Sequence, residues 1–253
     1  MTRRRISRQG QRYASMALVA LFAIGMPAFC QDTAPSLADA SQDEGDAQEN
    51  AREALLQKGI SLINAHQPSE AITESFDKLI AEYEAQYAGS EKQVYSARTL
   101  TESLLYMGSA ASAKRGAISL GPTWAYAYFL KAYALVELGR APEAKPLLEK
   151  AIALSPQNPQ FLAELGHSYI ADKNWPLMLE TYERSEHATE IGSPEDGKTV
   201  ELGRALRGQG YALVEMGRLK EAEAMYKRCL KLDRNDAMAA NELEYVRRLQ
   251  SKP

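Results

Sequence analysis

The stretch Tyr-Ala-Leu-Val-Glu-Leu-Gly-Arg-Ala-Pro-Glu-Ala at residues 133–144 recurs at residues 211–222 as Tyr-Ala-Leu-Val-Glu-Met-Gly-Arg-Leu-Lys-Glu-Ala. The two stretches agree at nine of twelve positions. They lie 78 residues apart, which is two periods of about 34 residues plus an insertion of about 10. This agreement indicates an internal repeat and predicts a third copy between the two.

The third copy begins about 34 residues after the first, where the sequence reads Leu162-x-x-Leu165-Gly166-x-x-Tyr169. The inserted residues fall between Glu186 and Thr199. Glycine and proline interrupt helices, so we predict a loop at the cluster Gly192-Ser193-Pro194-Glu195-Asp196-Gly197.

A period of this length, with small and large apolar residues at fixed places, resembles the tetratricopeptide repeat family. Where two helices of a repeat would cross, the copies carry Ala144, Met178 and Ala222, and Met178 departs from the small residue of the family. Gly139 and Gly217 are expected to end the first helix in a left-handed conformation. The resemblance implies an all-α fold, a right-handed superhelical array of antiparallel helix pairs with a C-terminal capping helix.

The same resemblance divides the chain from residue 51 onward. We predict a degenerate repeat, a repeat-like helix pair, three full repeats and an amphipathic capping helix, since stacked helix pairs need their ends covered. In that order, these are residues 51–87, 91–122, 125–158, 159–192, 203–236 and 236–250.

The first 30 residues have the three parts of a secretory signal. A basic stretch with five arginines and no acid precedes an apolar stretch from Ala14 to Gly25, and small residues come before Gln31. We interpret residues 1–30 as a signal peptide and expect an exported protein, periplasmic or extracellular. The apolar stretch is shorter than the roughly 20 residues of a spanning helix, so no stable membrane insertion is expected after cleavage. Two alternatives stay open, an anchor formed by the uncleaved signal and lipidation at Cys30.

Residues 31–50 contain six acids, no base and no aromatic side chain, which predicts an acidic disordered linker. The whole chain has 33 acidic and 30 basic residues, and this balance argues against a nucleic-acid partner. Cys30 and Cys229 are the only cysteines, so cleavage after Cys30 would leave no intramolecular disulfide.

The sequence shows no pattern typical of catalysis. None of the histidines His66, His167 and His187 has a second histidine or cysteine at the spacing of metal ligands. A nucleophile elbow, a phosphate loop and a dinucleotide-binding fingerprint are also missing from the sequence. We therefore predict no catalytic residue, no metal and no cofactor, and we expect that the protein is not an enzyme.

The resemblance further implies a concave face, to which the inner helices present fixed positions. Flat, half-polar side chains at these positions suit a peptide, because aromatic rings supply contact area at small entropic cost. An alternative interpretation is that the aromatic rings pack against neighbouring helices. The predicted groove residues are Tyr126, Phe129, Tyr133, His167, Ile170, Arg207 and Tyr211.

The leading functional hypothesis is an exported scaffold or adaptor that binds a protein or peptide segment in this groove. A second hypothesis is a non-catalytic assembly or regulatory subunit of an envelope enzyme complex, which would use the convex face. An enzyme is the third.

Overall fold

The computed structural model describes residues 37–251, with side chains described from residue 45. Within this range the chain is a succession of helices interrupted by a pair of short strands. In chain order these elements are α1 (Leu37–Asn64), α2 (Pro68–Ala71), a π-helical segment (Ile72–Phe76), α3 (Asp77–Tyr87), β1 (Gln93–Ser96), α4 (Leu100–Ser112), β2 (Ala117–Leu120), α5 (Thr123–Glu137), α6 (Ala141–Leu154), α7 (Pro159–Asp172), α8 (Trp175–Gly192), α9 (Glu195–Glu215), α10 (Leu219–Leu232) and α11 (Ala237–Gln250). The predicted all-α fold is confirmed.

The turns inside the repeats follow from left-handed residues. Gly139 and Gly217 both have φ of 75°, so the glycines end α5 and α9 as predicted. Lys173 holds the matching place in the middle repeat and has φ of 52°. A non-glycine residue is strained there, because its Cβ crowds the backbone.

Small residues let neighbouring helices approach closely. Tyr182 of α8 is 4% exposed and lies in a slot made by glycines of α7 and α9. A Cβ added at Gly208 would lie 2.4 Å from the Tyr182 ring, and one added at Gly166 would lie 3.0 Å from it. Met178, which departs from the family pattern, is 1% exposed and fills the core between the same helices.

The predicted loop at residues 192–197 is wrong. α8 extends to Gly192 and α9 begins at Glu195, so the inserted residues lengthen these two helices and only Ser193 and Pro194 connect them. The start of α9 is favourable because Glu195 and Asp196 in its first turn interact with the helix dipole.

The predicted helix pair at residues 91–122 is also wrong. Two strands flank α4, and they pair in parallel with Gln93 opposite Ala117 and Ser96 opposite Leu120. Thr99 caps α4 by accepting a hydrogen bond from the Glu102 backbone, which fixes its start at Leu100. We call residues 93–120 the strand–helix–strand insert.

Residues 51–87 form an antiparallel pair that turns at His66, which has φ of 58°. Contacts pair early residues of α1 with late residues of α3: Tyr83 donates a hydrogen bond of 2.5 Å to Glu49. Nearer the turn, Gly59 leaves room for Phe76, whose ring would lie 2.4 Å from a Cβ at that position.

Helix α1 begins at Leu37, so the prediction of a disordered linker over residues 31–50 is wrong from Leu37 onward. Alanine, glutamate and glutamine are strong helix formers, and they outweigh the high density of acids over this stretch. The remaining linker residues, 31–36, and the predicted signal peptide, residues 1–30, lie outside the described residues. The chain divides after Asp46, and the unit Ala47–Pro253 contains the elements from α2 onward.

Candidate functional site

Tyr126 and Phe129, two of the predicted groove residues, lie in the protein interior. Their rings pack against Phe161 of α7, with centroids 5.1 and 4.8 Å away. They are 7% and 3% exposed, so the prediction that they contact a ligand is wrong. The alternative interpretation, packing against a neighbouring helix, describes these two residues.

A buried ion cluster lies beside Tyr126 and closes this end of the face. Arg98, between β1 and α4, has its Nε 2.8 Å from Glu102 Oε1 and its Nη1 2.8 Å from Glu201 Oε1. The Glu102 side chain is fully buried and Arg98 is 11% exposed. Burial raises the pKa of the Glu102 carboxyl, although the Arg98 charge opposes that shift.

α4 also contacts the connection between α6 and α7. The Tyr106 hydroxyl lies 3.3 Å from Ser155 Oγ and accepts a hydrogen bond of 3.2 Å from the Gln157 backbone N–H. Burial raises the pKa of Tyr106 to about 12. The insert therefore covers the edge at which α7 and α9 begin, where the sequence predicted open groove.

Further along the same inner helices, the predicted residues reach the surface. Tyr133 of α5 donates a hydrogen bond of 2.9 Å to Glu137 Oε1, and burial and this carboxylate raise its pKa. We define the groove strip as five partly exposed residues, four of them predicted: Tyr133, His167, Ile170, Trp175 and Tyr211.

Trp175 was not predicted. Its ring centroid is 6.1 Å from that of Tyr211, in an edge-on arrangement that aromatic pairs prefer. Burial raises the pKa of Tyr211 to about 12. The sequence prediction chose fixed positions on the inner helices only. Trp175 instead begins the outer helix α8, and its place directly after the capping residue Asn174 is a signal that could have identified it.

Two opposite charges beside the groove strip form an ion pair. Glu164 of α7 accepts a hydrogen bond from Arg204 of α9, and both side chains are mostly buried. Burial raises the pKa of Glu164, but the Arg204 charge and hydrogen bond outweigh it, so the net shift is downward. Burial lowers the pKa of His167 below 6.5, which leaves a neutral imidazole at pH 7. The strip is therefore aromatic, apolar and without net charge.

Arg207, another predicted groove residue, pairs with Asp236 at the start of α11. Asp236 also accepts a hydrogen bond of 2.9 Å from the Ala239 backbone N–H and so caps that helix. Arg207 thus fastens the capping helix to α9.

Three features of the described residues bear on the sequence predictions: clusters of metal-binding side chains, the cysteine, and the length of the helices. No group of three or more His, Cys, Asp or Glu side chains could hold a metal ion in residues 37–251. Cys229 is buried, and burial raises the pKa of its thiol to about 12, far from the range in which a thiolate attacks. Among the helices that the structure describes, none has the length and apolar character to cross a membrane.

Stacked helix pairs whose buried faces join neighbours define a helical-repeat protein. Comparison with known families refines this class, because the model of the tetratricopeptide repeat matches residues 125–158 and 208–236. Both matched stretches are therefore tetratricopeptide repeats. The middle repeat, residues 159–192, lies outside both matches, and α7 and α8 form the helix pair expected there.

Several solved structures are similar to this chain. PilF of Pseudomonas aeruginosa is 15% identical, with 81% of this chain and 71% of that chain aligned at a TM-score of 0.54. MamA AMB-1 is 18% identical over 80% of this chain and 84% of that chain, with a TM-score of 0.47. The first tetratricopeptide-repeat domain of Spaghetti (RPAP3), solved with an HSP90 peptide, is 21% identical over 51% of this chain and 94% of that chain, with a TM-score of 0.44. No curated protein matches the sequence.

Proposed function

We propose that the protein is a non-catalytic interaction scaffold that binds a peptide segment of a partner protein on the groove strip. The observation that carries this proposal is the pair of partly exposed aromatic rings, Trp175 and Tyr211, that meet edge-on and pack with Ile170 against the same core cluster. Partly exposed aromatic rings are frequent anchors in protein interfaces, since they bury large area and lose few rotamers on binding.

The chemistry of the strip indicates the kind of segment. Glu164 and Arg204 neutralise each other, and His167 is neutral at pH 7. The Glu137 carboxylate lies on Tyr133 and Glu215 acts on Tyr211, so no positive charge attracts a phosphate or a carboxylate. An apolar or aromatic side chain of the ligand would fit between Ile170 and Tyr211. We therefore propose an uncharged, apolar peptide segment as the ligand.

The composition of residues 1–30 supports a partner outside the cytoplasm, because it is that of a secretory signal. Periplasmic or extracellular localisation is accordingly part of the proposal. A Tyr133 and Tyr211 double substitution to alanine tests the strip in a pulldown from an envelope extract. The matched control is Leu177→Ala with Leu232→Ala, since these exposed residues lie on the outer helices α8 and α10.

We expect the tyrosine variant to lose captured proteins that the control variant retains, with both variants folded by circular dichroism. Retention of every partner by the tyrosine variant would contradict groove binding.

A separate observation favours the second hypothesis, an assembly subunit of an envelope complex. An open pocket away from the groove strip combines the rings of Tyr87, Trp124 and Tyr128 with Lys150 at its side. Loss of partners in Tyr87→Ala alone would support that second function.

A further inference from the structure

α4 carries an apolar stripe on its outer side. Leu100 is 75% exposed, Leu104 is 65% exposed and Met107 is 38% exposed, and Ala111 continues the row. Leu105, which is 38% exposed, lies beside it. Soluble monomers rarely leave several large apolar side chains exposed next to one another, and contiguous apolar patches of this kind are often interaction sites.

The spacing of the stripe suits another helix. Leu100, Leu104, Met107 and Ala111 follow one another at intervals of four, three and four residues. This is the seam spacing of helices that pack side by side over their length. A globular ligand would not need such a regular row.

The opposite side of α4 is fixed against the protein. Glu102 is held by Arg98, and Tyr106 by Ser155 and Gln157, so the helix cannot rotate its leucines inward without breaking these hydrogen bonds. A charged residue inside and a leucine row outside reverse the usual arrangement of a surface helix. The stripe is therefore directed at a partner by the fold.

The charges around α4 favour a second copy of the same chain. The outer side of α4 has no charged residue, so two copies of the stripe do not repel each other. Exposed Lys114 and Arg115 follow the carboxyl end of α4. Exposed Glu195 and Asp196 lie on α9 close to the amino end of α4, where Arg98 meets Glu201. Glu195 is paired with Lys198 of the same helix, so Glu195, Asp196 and Lys198 together carry one negative charge. Two antiparallel copies of α4 bring basic and acidic ends together twice.

We propose that the stripe on α4 is a homodimerisation surface, on which α4 of a second copy packs antiparallel. Leu104 of each copy then faces Met107 of the other, and Leu100 faces Ala111. The stripe is smaller than the about 800 Å² per partner of a standard interface, which is the size class of weak, concentration-dependent association. This surface is separate from the groove strip, so failure of one proposal leaves the other intact.

Sedimentation equilibrium of the purified full chain, between about 1 and 100 micromolar, tests the proposal. The expected result is a monomer–dimer equilibrium that Leu104→Glu shifts toward monomer by about tenfold or more in Kd. Leu177→Glu, a matched change at an exposed leucine of α8, leaves the equilibrium unchanged. Far-UV circular dichroism confirms that both variants fold. A chain that stays monomeric at all concentrations, or an equal effect of both variants, overturns the proposal.

Charge reversal tests the orientation with variants that leave the stripe intact. Lys114→Glu with Arg115→Glu should weaken the dimer, and adding Glu195→Lys with Asp196→Lys should restore it. Absence of either effect overturns the antiparallel arrangement.

Sedimentation with vesicles of phosphatidylcholine and phosphatidylglycerol tests the alternative that the apolar stripe binds a lipid surface. Vesicle binding by the monomer that Leu104→Glu abolishes would show a lipid surface as the occupant, and would overturn the dimer.

Discussion

Arg98 and Glu201 form an ion pair with 2.8 Å between Nη1 and Oε1, although 103 residues separate them in the sequence. In repeat arrays each unit contacts its neighbours, so stability is approximately a sum of local terms. This pair joins the strand–helix–strand insert to α9, past the two repeats formed by α5 to α8. The insert thus couples distant units that the repeat architecture alone leaves independent.

Arg98→Ala should destabilise the protein strongly. The substitution leaves the buried Glu102 carboxylate without its partner, and breaking a buried ion pair in this way costs about 3–5 kcal/mol. Urea unfolding followed by circular dichroism measures the change. Arg140→Ala, which removes an exposed pair with Glu143, should change the unfolding midpoint little. Equal effects of the two substitutions would show that Arg98 has no special structural role.

His167 should make stability depend on pH. Burial lowers its pKa in the folded protein below the 6.5 of an unfolded chain, so the unfolded state binds the proton more readily. The stabilisation is present above pH 6.5 and is lost as the pH falls below it. Thermal melts at pH 7.5 and 5.5 should show a smaller acid-induced decrease in His167→Gln than in the unsubstituted protein. His187→Gln, at an exposed position, should retain the full decrease.

Gly208→Ala should destabilise the protein by about 1–3 kcal/mol, the usual cost of overpacking a core. The added methyl group would lie 2.4 Å from the Tyr182 ring, and this ring is enclosed on both sides. Gly197→Ala in the same helix meets nothing within 4 Å and should increase stability by up to about 1 kcal/mol through helix propensity. Chemical denaturation should give changes in the free energy of unfolding of opposite sign for the two variants, if the slot around Tyr182 is as tight as described.

Lys173→Gly should stabilise the protein by about 0.5–1 kcal/mol. The substitution removes the strain of a Cβ in the left-handed conformation, and the entropic cost of ordering glycine offsets part of this gain. Its φ of 52° lies close to that of Gly139 and Gly217. Gly139→Ala is the reciprocal test, because a Cβ there meets open space and only the backbone is strained. Thermal melting should move up in the first variant and down in the second.

The sequence predicted those parts of the fold in which local chemistry and the repeat period agree. Gly139 and Gly217 end their helices because no other residue adopts that conformation as readily. The middle repeat followed from the period, even though Met178 replaces a small residue. In these places the same residues determine both the local turn and the packing.

The remaining errors come from contacts between segments far apart in sequence. Gly192 and Gly197 locally indicate a loop, but Glu102 packs where a side chain at Gly192 would be, and α8 extends as far as Gly192. Tyr126 occupies a groove position in the repeat pattern and is nevertheless buried beside Arg98 and Phe161. Positions taken from the repeat pattern do not account for the strand–helix–strand insert. Four residues of the groove strip could therefore be predicted from the sequence: Tyr133, His167, Ile170 and Tyr211.

The position of α4 has a mechanical consequence. An array of helix pairs changes the width of its inner face through small rotations at the contacts between successive repeats. α4 bridges two successive contacts of this kind, through Tyr106 to Ser155 and through Glu102 to Gly192. These contacts resist both rotations at once, so the inner face keeps a fixed width. A segment that bound there, as proposed, would meet a less adaptable face at a smaller entropic cost of binding.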